Sequence, residues 1–206
     1  MKSLLIILLL TPFFSQAQFW VEDNAVWHYD YWNLGTGGFY KINHTGTATI
    51  DAIPCSEYTI DSYNFYYFPF GGGSYLFSGT NTIATEYIHA SNDTVYRWDG
   101  NEHRVLFDFG AQVGDEWIFD INTNPFGLIC NDTSRVVVTA TGMENIAGEN
   151  YRYIELQSPY DSYYSMSGHY NERFAGDYPF PQPQNCDPGV VVEFDMLGNL
   201  RCFSDD

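Results

Sequence analysis

Short runs of β-branched and aromatic residues, each followed by turn residues, recur along the sequence, and no stretch of ten residues carries a helical period. Residues 95–98 and 105–109 flank Asp99-Gly100, a strong hairpin signal because glycine accepts the positive φ of a tight turn. Residues 135–141 and 151–157 alternate apolar and polar side chains around another turn. The pattern predicts an all-β fold, an antiparallel β-sandwich or flattened barrel of roughly eight to eleven strands.

Three further segments carry specific expectations. Pro54 has no N–H to donate to a ladder, so it predicts a sheet edge or a break. Residues 190–195 alternate, and Gly198-Asn199 is predicted to turn the chain into a last strand over residues 200–203. Residues 159–183 are rich in Tyr, Gly, Ser and Pro, which predicts a long loop of the kind that often carries function.

The first residues have the features of a secretory signal peptide. Lys2 precedes an apolar run from Leu4 to Phe14, and Ser15-Gln16-Ala17 ends on small residues. The run is too short to span a bilayer, and no later segment is apolar enough to do so. We therefore expect cleavage after Ala17 and one β-rich domain over residues 18–206, located outside the cytoplasm as a secreted, periplasmic or cell-surface protein.

The charge balance narrows the possible partners. The chain has 8 basic and 26 acidic residues, a formal net charge of −18. A surface this negative repels phosphate backbones, so nucleic acid is not an expected partner. Aromatic residues make up 18% of the chain and charged residues only 17%, which argues against disorder.

An even number of cysteines in an exported protein favours disulfides, here two with three possible connectivities. The favoured pairing joins Cys186 to Cys202 across a predicted hairpin and leaves Cys55 with Cys130. Zinc is the less favoured alternative, since zinc sites usually show closely spaced Cys or His pairs and none is present.

No metal, cofactor or catalytic motif is expected. The five histidines show no ligand spacing and are interpreted as surface or strand residues: His28, His44, His89, His103 and His169. Residues 120–131 begin like a calcium loop, but Pro125 and Asn131 stand where that loop needs Gly and Glu. Residues 108–110 match a kinase tripeptide without the phosphate loop, lysine and catalytic loop that accompany it.

Four motifs follow one another in a characteristic order: residues 45–58, 94–98, 105–117 and 198–203. The most specific of them reads VLFDFGAQVGDEW. Together they resemble a group of uncharacterised secreted Bacteroidetes β-rich proteins that often carry a type IX secretion sorting domain. The resemblance implies an exported β-rich domain, no established activity and no catalytic residues to transfer. Because the chain ends at Asp206 without a sorting domain, surface attachment by that route is not expected.

The aromatic excess suggests a binding function. Tyrosine and tryptophan offer flat faces for stacking and polar edges for hydrogen bonds, and sugar-binding β-sandwiches use such platforms. One candidate set lies near the predicted mature N-terminus: Trp27, Tyr29, Tyr31 and Trp32. The other lies in the long loop: Tyr160, Tyr163, Tyr164, Tyr170 and Tyr178. For any single residue, a place in the core is the simpler expectation.

We therefore expect an exported non-catalytic domain that binds a glycan or another cell-surface component such as a surface protein. The loop tyrosines would carry the binding, so that Tyr-to-Ala changes abolish it. Two alternatives remain open. One is a secreted hydrolase that uses a pair of Asp or Glu carboxylates. The other is a structural or assembly protein of the cell envelope that associates through an exposed sheet edge.

Overall fold

The computed structural model describes residues 25–33, 36–68, 74–121, 133–173, 175–183 and 196–204, and this part of the chain contains strands and turns but no helix. The fourteen strands are β1 (Val26–Asn33), β2 (Thr36–Ile50), β3 (Ile53–Phe68), β4 (Ser74–Ser91), β5 (Thr94–Trp98), β6 (His103–Asp108), β7 (Glu116–Ile121), β8 (Thr133–Ile146), β9 (Glu149–Gln157), β10 (Tyr164–Ser165), β11 (Gly168–Asn171), β12 (Ala175–Gly176), β13 (Gln182–Pro183) and β14 (Met196–Ser204).

Two antiparallel sheets organise these strands. A curled seven-stranded sheet has the order β14-β1-β2-β3-β4-β5-β6, so the last described strand lies beside the first. A five-stranded sheet has the order β12-β11-β9-β8-β7, and β10 pairs with β13. This confirms the predicted all-β class, an antiparallel sandwich or flattened barrel.

The two sheets share one hydrophobic core that is rich in aromatic rings. Phe107 of β6 contacts Tyr170 of β11 with ring centroids 4.8 Å apart, which joins the two sheets directly. On β8, Val136 and Val138 are buried while Arg135 and Val137 are not fully covered. The period-2 alternation that predicted strands thus also selects the residues that enter the core.

The hairpin predictions are confirmed at two places. Residues 99–102 turn β5 into β6, where Gly100 has a φ of 100° and the Asp99 carboxylate accepts the backbone N–H groups of Asn101 and Glu102. Ala147 and Gly148 form the tight turn between β8 and β9 with positive φ at both residues. This is the backbone geometry that matches the twist of a two-residue hairpin.

Two other local predictions are modified by the structure. Pro54 lies inside β3 opposite Thr49, just before the β3–β4 ladder starts at Ser56, so its missing N–H is tolerated there. The predicted turn at Gly198-Asn199 is wrong, since both residues lie within β14. A Cβ atom at Gly198 would sit 2.8 Å from the Cβ of Asp30, so glycine serves the close approach of β14 to β1.

Several expectations fall outside the described residues: the signal peptide over residues 1–17, Cys130, Cys186 and the alternating run 190–195. The two described cysteines, Cys55 and Cys202, are free thiols. Neither predicted disulfide is therefore present among the described residues, and the two pairings stay predictions. In the described part of the chain, no helix has the length and apolarity needed to cross a membrane.

Candidate functional site

The loop tyrosines do not form one exposed platform. Residues 168–171 and 175–176 form β11 and β12 in the five-stranded sheet, which places Tyr170 in the core. Tyr163 and Tyr178 are buried as well, Tyr164 is half-buried, and Tyr160 alone of the five is exposed. The binding role of this set stays a prediction, and the burial of three rings weighs against it.

The candidate aromatics near the N-terminus separate into two groups on β1. Trp27, Tyr29 and Tyr31 point into the core, because alternate side chains of a strand share one face. Trp32 points to the opposite face of the sheet and is 56% exposed. Asp30 shares that outer face, so β1 brings a ring and a carboxylate together on the surface.

An open groove with a volume of about 670 Å³ crosses this outer face. It is built from the first four strands, β1 to β4, and from β14, which comes from the far end of the described chain. Its described lining consists of Asp30, Tyr31, Trp32, Gly37, Gly38, Phe39, Phe65, Tyr75, Gly198 and Arg201. We refer to this surface as the outer groove.

Aromatic rings form the walls of the outer groove. Trp32 is 56% exposed and Tyr75 is 70% exposed, far more than expected for rings that only fill a core. Phe39 is held in place by Tyr63, its cross-strand neighbour on β3, whose ring stacks on it at 4.5 Å with an interplanar angle of 7°. The walls therefore combine exposed faces with a fixed position.

One ion pair supplies the charged groups of the outer groove. Arg201 Nε lies 3.2 Å from Asp30 Oδ1, and both side chains are about half exposed. The guanidinium also lies over the ring of Phe39, 5.4 Å from its centroid, as in a cation–π contact. A hydrogen-bond acceptor and several donors thus face the same open space as the rings.

Two adjacent glycines of β2 contribute their backbone to the floor of the outer groove. On the opposite side of the sheet, which faces the core, Gly38 lies against Tyr31, its neighbour on β1. A Cβ atom at Gly38 would lie 1.9 Å from the carbonyl oxygen of Tyr63 and 2.8 Å from the Tyr31 ring, so no other residue fits. A Cβ atom at Gly37 would meet Trp32 at an ordinary 3.5 Å. Both glycines lie within β2.

A second cavity of about 510 Å³ has the opposite chemistry, and we call it the polar cleft. Its described lining is Glu86, Arg97, Asp99, Asn101, Asp120, Ile121, Tyr164 and Pro181. Arg97 binds two carboxylates at once: its Nε donates to Glu86 at 2.6 Å and its Nη1 to Asp120 at 3.0 Å. All three side chains are largely buried, so one guanidinium serves two carboxylates inside the cleft.

The pKa values in the polar cleft follow from burial and ion pairing. Burial raises the pKa of Asp120, although Arg97 acts in the other direction. For Arg97, burial disfavours the charge, but Glu86 and Asp120 outweigh it and its pKa is raised. The guanidinium is therefore charged at any physiological pH and stays bound to its two partners.

A third constellation was missed by the sequence analysis. Cys55, His89 and His103 each offer a ligand atom, and these atoms lie within 4.8 Å of one another. They come from β3, β4 and β6, so neither ligand spacing nor any local motif relates them. We call this group the thiol–imidazole cluster.

The second described thiol also lies beside an imidazole. Cys202 on β14 is exposed, and its Sγ lies 3.2 Å from His28 Nδ1 on the neighbouring strand β1. This pair follows directly from the β1–β14 register, in which His28 and Cys202 are opposite each other.

Comparison with protein-family models, with curated proteins and with solved structures finds no match to this chain. The resemblance to secreted Bacteroidetes proteins accordingly stays a prediction.

Proposed function

We propose that this protein is an exported, non-catalytic binding domain whose outer groove binds a glycan. The observation that carries the proposal is the combination of exposed rings with the Asp30–Arg201 ion pair in one groove. A sugar ring has an apolar C–H face and a rim of hydroxyl groups. Aromatic faces pack against the first, while a carboxylate and a guanidinium hydrogen-bond to the second.

The size and exposure of the outer groove support this assignment. Its volume of about 670 Å³ lies in the range of about 300–1,000 Å³ that is typical of small-molecule sites. Trp32 and Tyr75 leave large apolar faces in water, which is characteristic of a surface that a partner covers. The net charge of −18 makes a neutral or weakly charged glycan more suitable than a polyanionic one.

The same groove argues for binding rather than hydrolysis. Most glycosidases need two carboxyl groups that flank the scissile bond. Among the described lining residues of the outer groove, Asp30 is the single carboxylate, and Arg201 is paired with it. We therefore expect a bound glycan to be released intact.

The first test is a binding screen of residues 18–206 against polysaccharides and defined oligosaccharides, read by thermal unfolding and isothermal titration calorimetry. A ligand that binds only the native state raises the unfolding midpoint in a concentration-dependent manner. Variants Trp32→Ala and Arg201→Ala should lose the shift, while Tyr160→Ala, in the loop, should keep it. A glycan that raises the unfolding midpoint of all three variants equally would place the binding site elsewhere.

A carboxylate hydrolase is the second candidate, and the polar cleft favours it. Glu86 and Asp120 converge in a concave site, and burial raises the pKa of Asp120 as a general acid requires. It ranks second because Arg97 already binds both carboxylates. Product analysis after incubation with each glycan tests it: chain shortening that Glu86→Gln abolishes would move the function to this cleft.

A further inference from the structure

The thiol–imidazole cluster lies beside the turn that joins β2 to β3, on the face of the seven-stranded sheet that points away from the shared core. Ile88 and Val95 are fully buried core residues, so their strand neighbours His89 and Tyr96 point to the other face. Because Ser56 pairs with Ile88, Cys55 and His89 are the next cross-strand neighbours. The curl of the sheet then brings His103 of β6 next to them.

The cluster contains buried ring nitrogens without hydrogen-bond partners. The Nδ1 atoms of His89 and His103 are both inaccessible to solvent and unpaired. Cys55 beside them is 2% exposed. Since buried polar groups in native proteins are nearly always satisfied, two orphaned nitrogens in a group that also contains a thiol point to a shared partner.

The surroundings hold both rings in the orientation of ligands. His103 Nε2 lies 3.4 Å from the carbonyl oxygen of Ile50, to which it donates in the tautomer that leaves the Nδ1 lone pair free. Metal-binding histidines commonly donate their other N–H to a carbonyl in this way. The ring of His89 is stacked on Tyr96 at 4.8 Å and 7°, and it meets the His103 ring edge-on at 4.7 Å.

We propose that Cys55, His89 and His103 bind one d-block divalent ion, Zn²⁺ or Cu²⁺, through a thiolate and two imidazoles. Both ions prefer this combination of sulfur and nitrogen ligands. On binding, the thiol proton leaves to solvent and a metal–sulfur bond forms. With zinc–ligand bonds of the usual length, ligand atoms lie roughly 3.3–3.6 Å apart, so the ion draws the side chains together by roughly an ångström.

Three protein ligands leave a fourth coordination position for water or another ligand, the arrangement that distinguishes reactive zinc sites from closed structural ones. The site is independent of glycan binding, because it shares no residue with the outer groove. A failure to find metal binding would therefore leave the glycan proposal standing, and a failure to find glycan binding would leave the metal proposal standing.

The test uses the full chain without an added histidine tag, with thiols reduced and metals removed by chelator. We expect one equivalent of Co²⁺ to bind and to give thiolate-to-metal charge-transfer absorption. One equivalent of Zn²⁺ should displace the Co²⁺ completely, and Cu²⁺ should give an intense visible thiolate band. Because Cu²⁺ binds such ligands more tightly than Zn²⁺ whichever ion is native, the metal content of the protein as isolated, before chelation, decides between the two.

Three variants locate the ion. Cys55→Ser should lose the charge-transfer band, and His89→Asn and His103→Asn should lose stoichiometric binding. Cys202→Ser is the matched control, because it removes the other described thiol, which lies beside His28, and leaves the thiol–imidazole cluster intact. This variant should bind Co²⁺ like the wild type. Thermal unfolding of every variant checks the fold, and the cobalt spectrum of the wild type reports thiolate ligation without any variant.

Two results would overturn the proposal. One is the absence of a stoichiometric ion on the reduced wild-type chain. The other is unchanged binding in folded Cys55→Ser and His89→Asn variants.

Discussion

The outer groove and the polar cleft have similar volumes, about 670 and 510 Å³, but their charged side chains differ in burial and in pairing. In the cleft, Arg97 is buried and satisfied by two carboxylates. In the groove, Arg201 stays half exposed and shares open space with Trp32 and Tyr75. A cavity whose charged groups are already paired with one another contributes to the fold, whereas one whose rings and charges still face water is available to a ligand.

The largest expected effect separates the two arginines. Arg97→Ala leaves Glu86 and Asp120 as buried carboxylates without their counter-ion, and it should lower the free energy of unfolding by about 3–5 kcal/mol. Arg201→Ala removes an exposed pair and should cost about 0–1 kcal/mol. Urea unfolding of both variants measures the contrast. Equal losses in stability would mean that groove and cleft do not differ as proposed.

The two adjacent glycines of the groove floor provide the next contrast. Gly38→Ala forces a Cβ into the Tyr63 carbonyl oxygen and should cost about 1–3 kcal/mol or more, as overpacking does. Gly37→Ala makes only an ordinary contact with Trp32 and should leave stability within about 1 kcal/mol of the wild type. Denaturation midpoints of the pair test this, and a neutral Gly38→Ala would contradict the described floor.

The pH dependence of stability should carry a signature of the polar cleft. Burial opposes ionisation of Asp99, but N–H donors from Glu102 and Asn101 and the Arg104 guanidinium outweigh it and lower its pKa. A folded-state pKa below the unfolded one means that the unfolded chain takes up the proton first as pH falls. The contribution of Asp99 is thus present above its ordinary pKa of 3.8 and is lost as pH falls through the folded-state value.

Asp99→Asn keeps the acceptor for the backbone N–H groups but removes the charge beside Arg104. It should lower stability at pH 7, and its difference from the wild type should shrink under acid conditions. Urea midpoints at several pH values measure this. A difference that does not change with pH would show that the charge of Asp99 is not involved.

The smallest expected effect on stability belongs to the groove walls. Trp32→Ala and Tyr75→Ala remove rings that are mostly in water, so the free energy of unfolding should change by about 0.5 kcal/mol or less. A loss of several kcal/mol in either variant would identify these rings as structural. Substitutions in the polar cleft should therefore lower the free energy of unfolding far more than substitutions in the groove walls. Ligand binding should show the reverse order, with the larger losses in the groove variants.

Much of the fold was predictable because it depends on local patterns. Alternation placed the buried side chains of β8 and β9 on one face, and Asp99-Gly100 marked a hairpin. The turn at Gly198-Asn199 was predicted wrongly, since a glycine required by close packing against Asp30 looks the same in sequence as a glycine required by a turn. Local sequence does not distinguish these two causes.

The candidate sites were much less predictable because sheet topology assembles them. The outer groove joins β14 to β1, β2, β3 and β4, and no spacing rule relates Arg201 to Asp30. The thiol–imidazole cluster was not predicted for the same reason, because ligand spacing detects neighbours along the chain and not neighbours across a sheet. The aromatic excess suggested exposed rings without saying which they are; alternation and burial place Trp32 on the surface and Tyr170 in the core.

The most direct test of the central claim compares a groove variant with a loop variant on one glycan ligand. Calorimetric titration would be carried out on the wild type, on Trp32→Ala/Arg201→Ala and on the loop variant Tyr160→Ala, after thermal unfolding has shown that all three are folded. We predict that the groove variant loses binding while the loop variant keeps the wild-type dissociation constant. Loss of binding in the loop variant with an unaffected groove variant would contradict the account.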